Sequence, residues 1–394
     1  MKVTVAVKGR FHAFYLAHEL QKHGYLQKLI TTYPVFETLK YGVEKNLIKS
    51  LIIHEIIDRA WRKLPDKIKF SYNAQFLLHE IFDIYASHYI PKNTDIFVGW
   101  SSFSLHGLRR AKALGAKIVL ERGSSHISYQ TDILKQEYAE LGLRGEYAHP
   151  RIVAKELEEY AEADRIAIPS TYVKETFLQY GVAEAKLIQV PYGVNLERFY
   201  PIPKADAAFR VIHCGNLSIR KGVHYLLQAF AELRLPEAEL WLIGSLPEEI
   251  KPFLRQWASP AIIHQGPFPE RELYQYYSQG SVFCLASIEE GLAMVQAQAM
   301  ACGLPVICTT NTGGADLVRN GVDGFVVPIR DVDALKEKIL FFYNNRDACK
   351  TMGESARRRV QAGFTWSDYG DNMIAAYRKL LGRADEAELP HHLR

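Results

Sequence analysis

The chain has 394 residues, 48% of them hydrophobic and 23% charged, with a formal net charge of +4. That length exceeds the roughly 250–300 residues at which one core stops growing, so two domains are expected. The balance is that of an ordinary soluble globular protein, and so small a positive excess gives no reason to expect a nucleic-acid partner.

No run of about 18 apolar residues occurs, so no membrane span is expected. The opening MKVTVAVKGRFHAF turns at Gly9, too early for a secretory leader, and reads as a buried strand. The five cysteines all lie in the second half, mostly in apolar runs such as SVFCLAS and PVICTT. Reduced core thiols in a cytoplasmic protein are expected rather than a disulfide framework or a metal site.

In chain order, VTVAV is the first strand and FYLAHELQKHG a helix closing at Gly24, with LQKLITTYP as the next strand. Residues 40–70 read as helical and basic, with eight Lys/Arg against four Asp/Glu. DIFVGW and AKIVLERG are further strands, and IVAKELEEYAEADRIAIPS is an acidic helix running into a strand. VPYGVNLERFYPIPKADAAF, with Pro191, Pro201 and Pro203, reads as an interdomain linker. FRVIHCG, ELWLIGS, AIIHQG, SVFCLAS, LPVICTT and GFVVP then form a second series of short apolar strands. Nearly continuous apolar strands separated by helices imply parallel sheets covered on both faces. The expected fold is α/β, with two Rossmann-like domains, 1–195 and 205–365, facing a cleft. TWSDYGDNMIAAYRKLL is a last helix over about 366–382, and 383–394 reads as a frayed tail.

Ligands of open parallel sheets sit beyond the carboxyl ends of the strands, where helix N-termini present free N–H groups. The segments to weigh are therefore Gly9-Arg10, Glu121 to His126, Gly215 to Gly222, Gly244-Ser245, Gly266 to Phe268, and Glu289 to Val295. In GNLSIRKG, Gly215 would let backbone approach a phosphate, and Arg220 and Lys221 would supply countercharge. The alternative is a solvated basic helix start. In EEGLAMVQAQAMACGLP, Glu290 and Gln298 interrupt an apolar run, and buried polar groups need partners.

Taken together, GNLSIRKGVHYLLQAF, SIEEGLAMVQAQAMACGLPVI, EADRIAIPS and VPYGVNLERF resemble the family 4 glycosyltransferases of the GT-B fold. Weaker likeness extends to GRFHAFYLAHEL and ERGSSH. The resemblance implies a retaining, metal-independent transfer of a sugar from a nucleoside-diphosphate sugar to a sugar or lipid-linked acceptor, with no cofactor. It puts Glu290 on the sugar hydroxyls near the reacting centre, and His126 across the cleft against the donor sugar and the reacting hydroxyl. Gly9 would line the acceptor side near the donor phosphates, with Arg10 and His12. Gly291, Leu292, Ala293, Met294 and Val295 would bring a helix start to the pyrophosphate, and Gly266 and Phe268 would complete the donor pocket.

Three positions depart from the family pattern. Gln298 stands where a carboxylate accepts from ribose hydroxyls, Asn216 where arginine is usual, and Ala293 where glycine is frequent. These departures favour, as a second reading, a non-catalytic nucleotide-sugar-binding protein of the same fold. The last helix would cross back onto the first domain. Asp331 and Asp333 precede a helix and read as caps, not metal ligands. Residues 40–70 would touch the cytoplasmic face of a membrane if they bind anionic lipid; a solvated helix is the alternative.

Overall fold

A computed structural model describes residues 1–62, 75–145 and 147–383. The first sheet contains β1 (Val3–Val7), β2 (Leu26–Thr31), β3 (Ile48–Ser50), β4 (Ile96–Trp100), β5 (Lys117–Glu121), β6 (Arg165–Ile168) and β7 (Leu187–Gln189). The second contains β8 (Phe209–Cys214), β9 (Ala238–Ile243), β10 (Ile262–Gly266), β11 (Val282–Leu285), β12 (Val306–Thr309) and β13 (Gly324–Val327). Their orders are β3-β2-β1-β4-β5-β6-β7 and β10-β9-β8-β11-β12-β13, with parallel pairing throughout. β1, β4, β8, β11 and β12 are buried at every position. Their valines, isoleucines and phenylalanines fill both faces, which is why these strands are apolar rather than alternating.

Strand order reverses between β1 and β4 in the first sheet and between β8 and β11 in the second. A crevice opens at such a point because the connections leave on opposite sides. The two crevices face one another, and the loops after β1, β4, β8 and β11 form the cleft described below.

The local readings differ from the structure in two places. Residues 40–70 are not one helical stretch: β3, of three residues, pairs Ile48 with Leu29 before the helix Ile52–Arg62 begins. β7 is equally short. Three residues carry too little alternation to be separated from their surroundings. Residues 63–70 of the basic stretch and 384–394 of the tail lie outside the described residues.

The chain crosses between the domains twice, and the crossings touch. Val194 bridges Thr365, its N–H donating to the Phe364 carbonyl at 2.8 Å. A Cβ at Gly193 would stand 2.4 Å from the Thr365 backbone, so glycine is required for that approach. Thr365 and Asp368 then form a reciprocal cap on the helix Trp366–Leu380. That helix lies on Ala13–Lys22 of the first domain: Trp366 stacks on Tyr15 at 4.0 Å, and Gly370 leaves room for the Glu19 side chain. Tyr369 and Tyr377 are buried beneath it.

The domains also meet directly. Tyr138, on the helix Ile127–Glu140 of the first domain, belongs to the core of the second and donates to Glu249 at 2.6 Å. Its neighbour Glu137 is fully buried between His224, at 3.0 Å, and Arg330, at 2.6 Å. Burial alone would raise the Glu137 carboxyl, but hydrogen bonds from His224 and Arg330 hold it below the ordinary range.

Candidate active site in the interdomain cleft

A cleft of about 720 Å³ separates the carboxyl ends of the two sheets. The first domain contributes Arg10–His12 after β1, Ser101–Phe103 after β4 and Arg122–Ser124 after β5. Phe11 and Ser102 hold left-handed backbone angles, φ 42° and 80°. Such angles in non-glycine residues cost about 1–3 kcal/mol and persist where surrounding structure enforces them. The opposite wall carries Gly215, Asn216 and Lys221 after β8, Phe268 after β10, and Glu290 with Leu292–Val295 and Gln298 after β11.

The helix Met294–Ala301 starts at the cleft wall. Its N-cap is Ala293, which has no side-chain oxygen to satisfy the first turn. The N–H of Gln296 turns back to the Ala293 carbonyl, leaving those of Met294 and Val295 as donors at the cleft. The helix dipole adds partial positive charge there. Lys221 supplies a full charge and pairs with Glu290, which also lies 3.7 Å from Arg220. Gln298 lines the same wall, and its amide oxygen accepts from the Tyr277 hydroxyl at 3.2 Å. Asn216 bonds through its amide oxygen to Ser245.

Several expected site residues stand behind the lining. Arg220 donates to Glu289 at 2.8 Å and does not line the cleft. Gly291 meets the first domain: a Cβ there would stand 1.9 Å from the Gly123 carbonyl, and its own carbonyl accepts from Ser170 at 2.7 Å. Gly9, with φ 105°, makes the turn that delivers Arg10–His12. Gly266 accepts from the Gly244 N–H. These two shape the walls without lining them.

His126 also stands behind the lining. Its ring accepts from the Ser128 N–H as the cap of helix Ile127–Glu140 and stacks on Tyr180 at 4.6 Å. Tyr160 and Phe177 enclose it further, and it does not line the cleft. Burial, then the Arg122 charge, push its pKa down to about 4. The cleft histidine is His12 instead. In the same wall, Arg122 bonds Glu156 at 3.0 Å, and Glu121 bonds His12.

The residue that sequence reasoning missed is Glu289. Fully buried, it accepts from the Ser125 N–H at 3.0 Å, the Ser125 hydroxyl at 2.6 Å and Gln130 at 2.8 Å, besides Arg220. Ser125 and Gln130 belong to the first domain, so this one carboxylate holds the domains together beside the cleft. Burial raises its pKa, but Arg220 and the hydrogen bonds from Ser125 and Gln130 outweigh that and bring it to about 2.

Asp331 accepts from the Ala334 N–H at 2.8 Å and caps the helix Val332–Asn344, while Asp333 pairs with Lys336. Among the described residues, Glu80, Asp83 and His106 have metal-ligand spacing. Lys155 pairs with both Glu80 and Asp83, supplying the cation that a metal would bring, and none of the three lines the cleft.

The fold is that of the GT-B class. Residues 208–345 match the family described as glycosyl transferases group 1. It is similar to the GDP-mannose-dependent alpha-(1-6)-phosphatidylinositol monomannoside mannosyltransferase of Mycolicibacterium smegmatis, 28% identical over 53% of this chain. The match spans 60% of that protein's length. Among solved structures, sucrose-phosphate synthase from Thermosynechococcus elongatus superposes with a TM-score of 0.66 at 20% identity, covering 98% of this chain and all of that one. Anabaena HepE in complex with UDP gives 0.69 at 16% identity, covering 96% and 100%. At those identities the likeness is one of fold.

Glu289→Gln tests the interdomain clasp. The depressed carboxyl stabilises the folded form fully above its ordinary value near 4.5, and that contribution is lost as pH falls toward 2. The substitution should cost about 3 kcal/mol at pH 7, read as a lower thermal-unfolding midpoint. The gap from wild type should narrow as the pH drops below 4.5. Equal midpoints at pH 7 would contradict it.

Proposed function

We propose that this chain is a retaining, metal-independent glycosyltransferase that moves a sugar from a nucleoside-diphosphate sugar to a hydroxyl of a glycan or lipid-linked acceptor. The observation that carries the reading is the convergence of the uncapped helix start at Met294–Val295 with Lys221 on one cleft wall. A departing diphosphate gains negative charge, and oriented N–H groups with a fixed ammonium stabilise it without rearranging. Lys221 is paired with Glu290. A diphosphate drawing Lys221 to itself would free Glu290 to accept from sugar hydroxyls. The charge these groups supply is what supports metal independence, and no cofactor enters the reading. Retention of configuration is carried by the family resemblance. The Gly291–Gly123 contact and the Glu289 clasp bring the domains together, which limits water at the reacting carbon.

The acceptor side favours a lipid-linked substrate. The helix Ile52–Arg62 is turned inside out: His54 and Asp58 face inward, while Ile53, Ile56 and Ile57 are 73%, 60% and 47% exposed. Its neighbour Gln75–Ser87 likewise presents Leu77, Ile84 and Tyr85 outward. His54 packs on Phe82, and Phe82 on the cleft residue Phe103, so this face lies close behind the acceptor wall. Residues 40–70 carry a net excess of four positive charges, which suits an anionic membrane surface. No helix among the described residues is long and apolar enough to cross a membrane, so the contact would be peripheral, at the cytoplasmic face.

The reading of a non-catalytic nucleotide-sugar binder keeps one supporting observation, the neutral Gln298 in the cleft wall. Glu290→Ala separates the two. In a transferase it should leave nucleotide binding nearly intact and lower turnover by about a hundredfold or more. Binding of a nucleotide sugar with no turnover in wild type would favour the binder.

The donor is tested by a thermal-shift series with UDP-, GDP-, ADP- and TDP-sugars. One of them should raise the midpoint in wild type, since a ligand of the folded state stabilises it, and Lys221→Ala should weaken that ligand about tenfold or more. No shift with any member would contradict the reading. For the membrane face, the chain should float with vesicles containing anionic lipid at low salt. Ile53→Glu combined with Ile57→Glu should abolish flotation, because each isoleucine removes about 1.5–3 kcal/mol of apolar burial. Failure of the wild-type chain to float would reject that contact.

A further inference from the structure

A histidine–carboxylate pair sits in the first-domain wall of the cleft, and the donor-side chemistry above does not use it. His12 Nε2 stands 3.1 Å from Glu121 Oε2. His12 is the N-cap of the helix Ala13–Lys22, and Glu121 ends β5, so both side chains spring from rigid elements. Tyr192 at 4.3 Å and Trp100 at 5.0 Å pack on the imidazole, with Tyr369 edge-on at 5.8 Å. The second oxygen of Glu121 lies 3.5 Å from the Tyr369 hydroxyl. Glu121 and His12 are 2% and 4% exposed, and the edge of His12 reaches the cleft lining between Arg10 and the serines after β4. Among the described residues, His12 Nδ1 has no hydrogen-bond partner.

A buried carboxylate fixed on one nitrogen of an imidazole, with the ring in a cleft wall, orients the other nitrogen and stabilises the cation formed when that nitrogen takes a proton. Packing alone gives no reason for a buried charge here, since an apolar pair would fill the space at lower desolvation cost. The neighbouring strain at Phe11 and Ser102 lies in the same wall.

We propose that His12, oriented by Glu121, accepts the proton of the attacking hydroxyl. The assignment rests on the transferase reading. The hydroxyl oxygen forms its bond to the anomeric carbon from the face that the diphosphate leaves, which keeps the configuration, and its proton passes to His12 Nδ1. The bond from that carbon to the diphosphate oxygen breaks, and its electron pair leaves on the diphosphate. His12 is then an imidazolium beside the Glu121 carboxylate and returns its proton to solvent when the cleft opens. The titratable groups packed around the ring are Glu121 from β5, Tyr192 from the linker and Tyr369 from the last helix. Arg10 and Arg122 adjoin this pair along the chain and line the same cleft.

The test uses the full chain with water as the acceptor, following release of UDP from UDP-glucose and of GDP from GDP-mannose across pH. His12→Gln should slow release about 10²–10⁴-fold while leaving the binding of UDP or GDP unchanged. It should also remove the fall in rate on the acid side of the wild-type profile. Glu121→Gln, which can still accept from the ring but carries no charge, should slow release less and displace that acid-side fall. Wild-type rates and profile in His12→Gln would overturn the proposal while leaving the transferase reading intact. So would loss of rate accompanied by loss of nucleotide binding, with an unaltered profile in Glu121→Gln, because that is the signature of packing alone. A wild-type chain that binds and cleaves none of the UDP-, GDP-, ADP- and TDP-sugars overturns the transferase reading and this assignment together.

Discussion

A helix that begins without a cap is the constraint around which the cleft is organised. Met294–Ala301 starts at an alanine, in a loop where serine, threonine or aspartate would have satisfied its first N–H groups. The unsatisfied donors face the gap between two domains, where Lys221 adds a charge and Glu290 balances it. An arrangement that costs stability in the free protein becomes favourable when an anion arrives. On the proposed function, that asymmetry makes the second domain a binding wall and not merely the end of a sheet.

The remaining architecture holds the opposite wall in register with it. Glu289 precedes Glu290 but points the other way, into Ser125 and Gln130 of the first domain. Gly291 follows, packed so closely on Gly123 that no side chain fits. Three consecutive residues thus perform three tasks: clasping the domains, facing the cleft and permitting backbone contact. Arg220 and Lys221 divide in the same manner, one neutralising Glu289 and the other lining the cleft. The last helix and the paired chain crossings at Val194 and Thr365 join the domains at a second place.

Much of this was legible in the residues. Strands buried on both faces, such as VTVAV and SVFCLAS, announce parallel sheets because no alternation is needed when both faces are dry. The proline-bearing linker and the ordered glycine turns placed the cleft. Direction was not legible. Of two adjacent carboxylates, periodicity cannot say which crosses to the other domain, so the residues alone give Glu289 no role distinct from that of Glu290. His126 follows a strand as a site residue would, yet the turn after it uses the ring to cap a helix. His12 and Glu121 meet across 109 positions, a pairing that only the order of β1, β4 and β5 creates. The outward isoleucines of Ile52–Arg62 are a case where the pattern is plain but its orientation is inverted, since His54 and Asp58 take the inner face.

The most direct measurement is a structure of the full chain crystallised with UDP and, separately, with GDP, at low ionic strength and without added divalent metal. The account predicts diphosphate oxygens within about 3 Å of the Met294 and Val295 N–H groups, with the Lys221 ammonium turned from Glu290 toward them. A nucleotide bound elsewhere, or lodged in the cleft with its phosphates pointing away from that helix start, would contradict it.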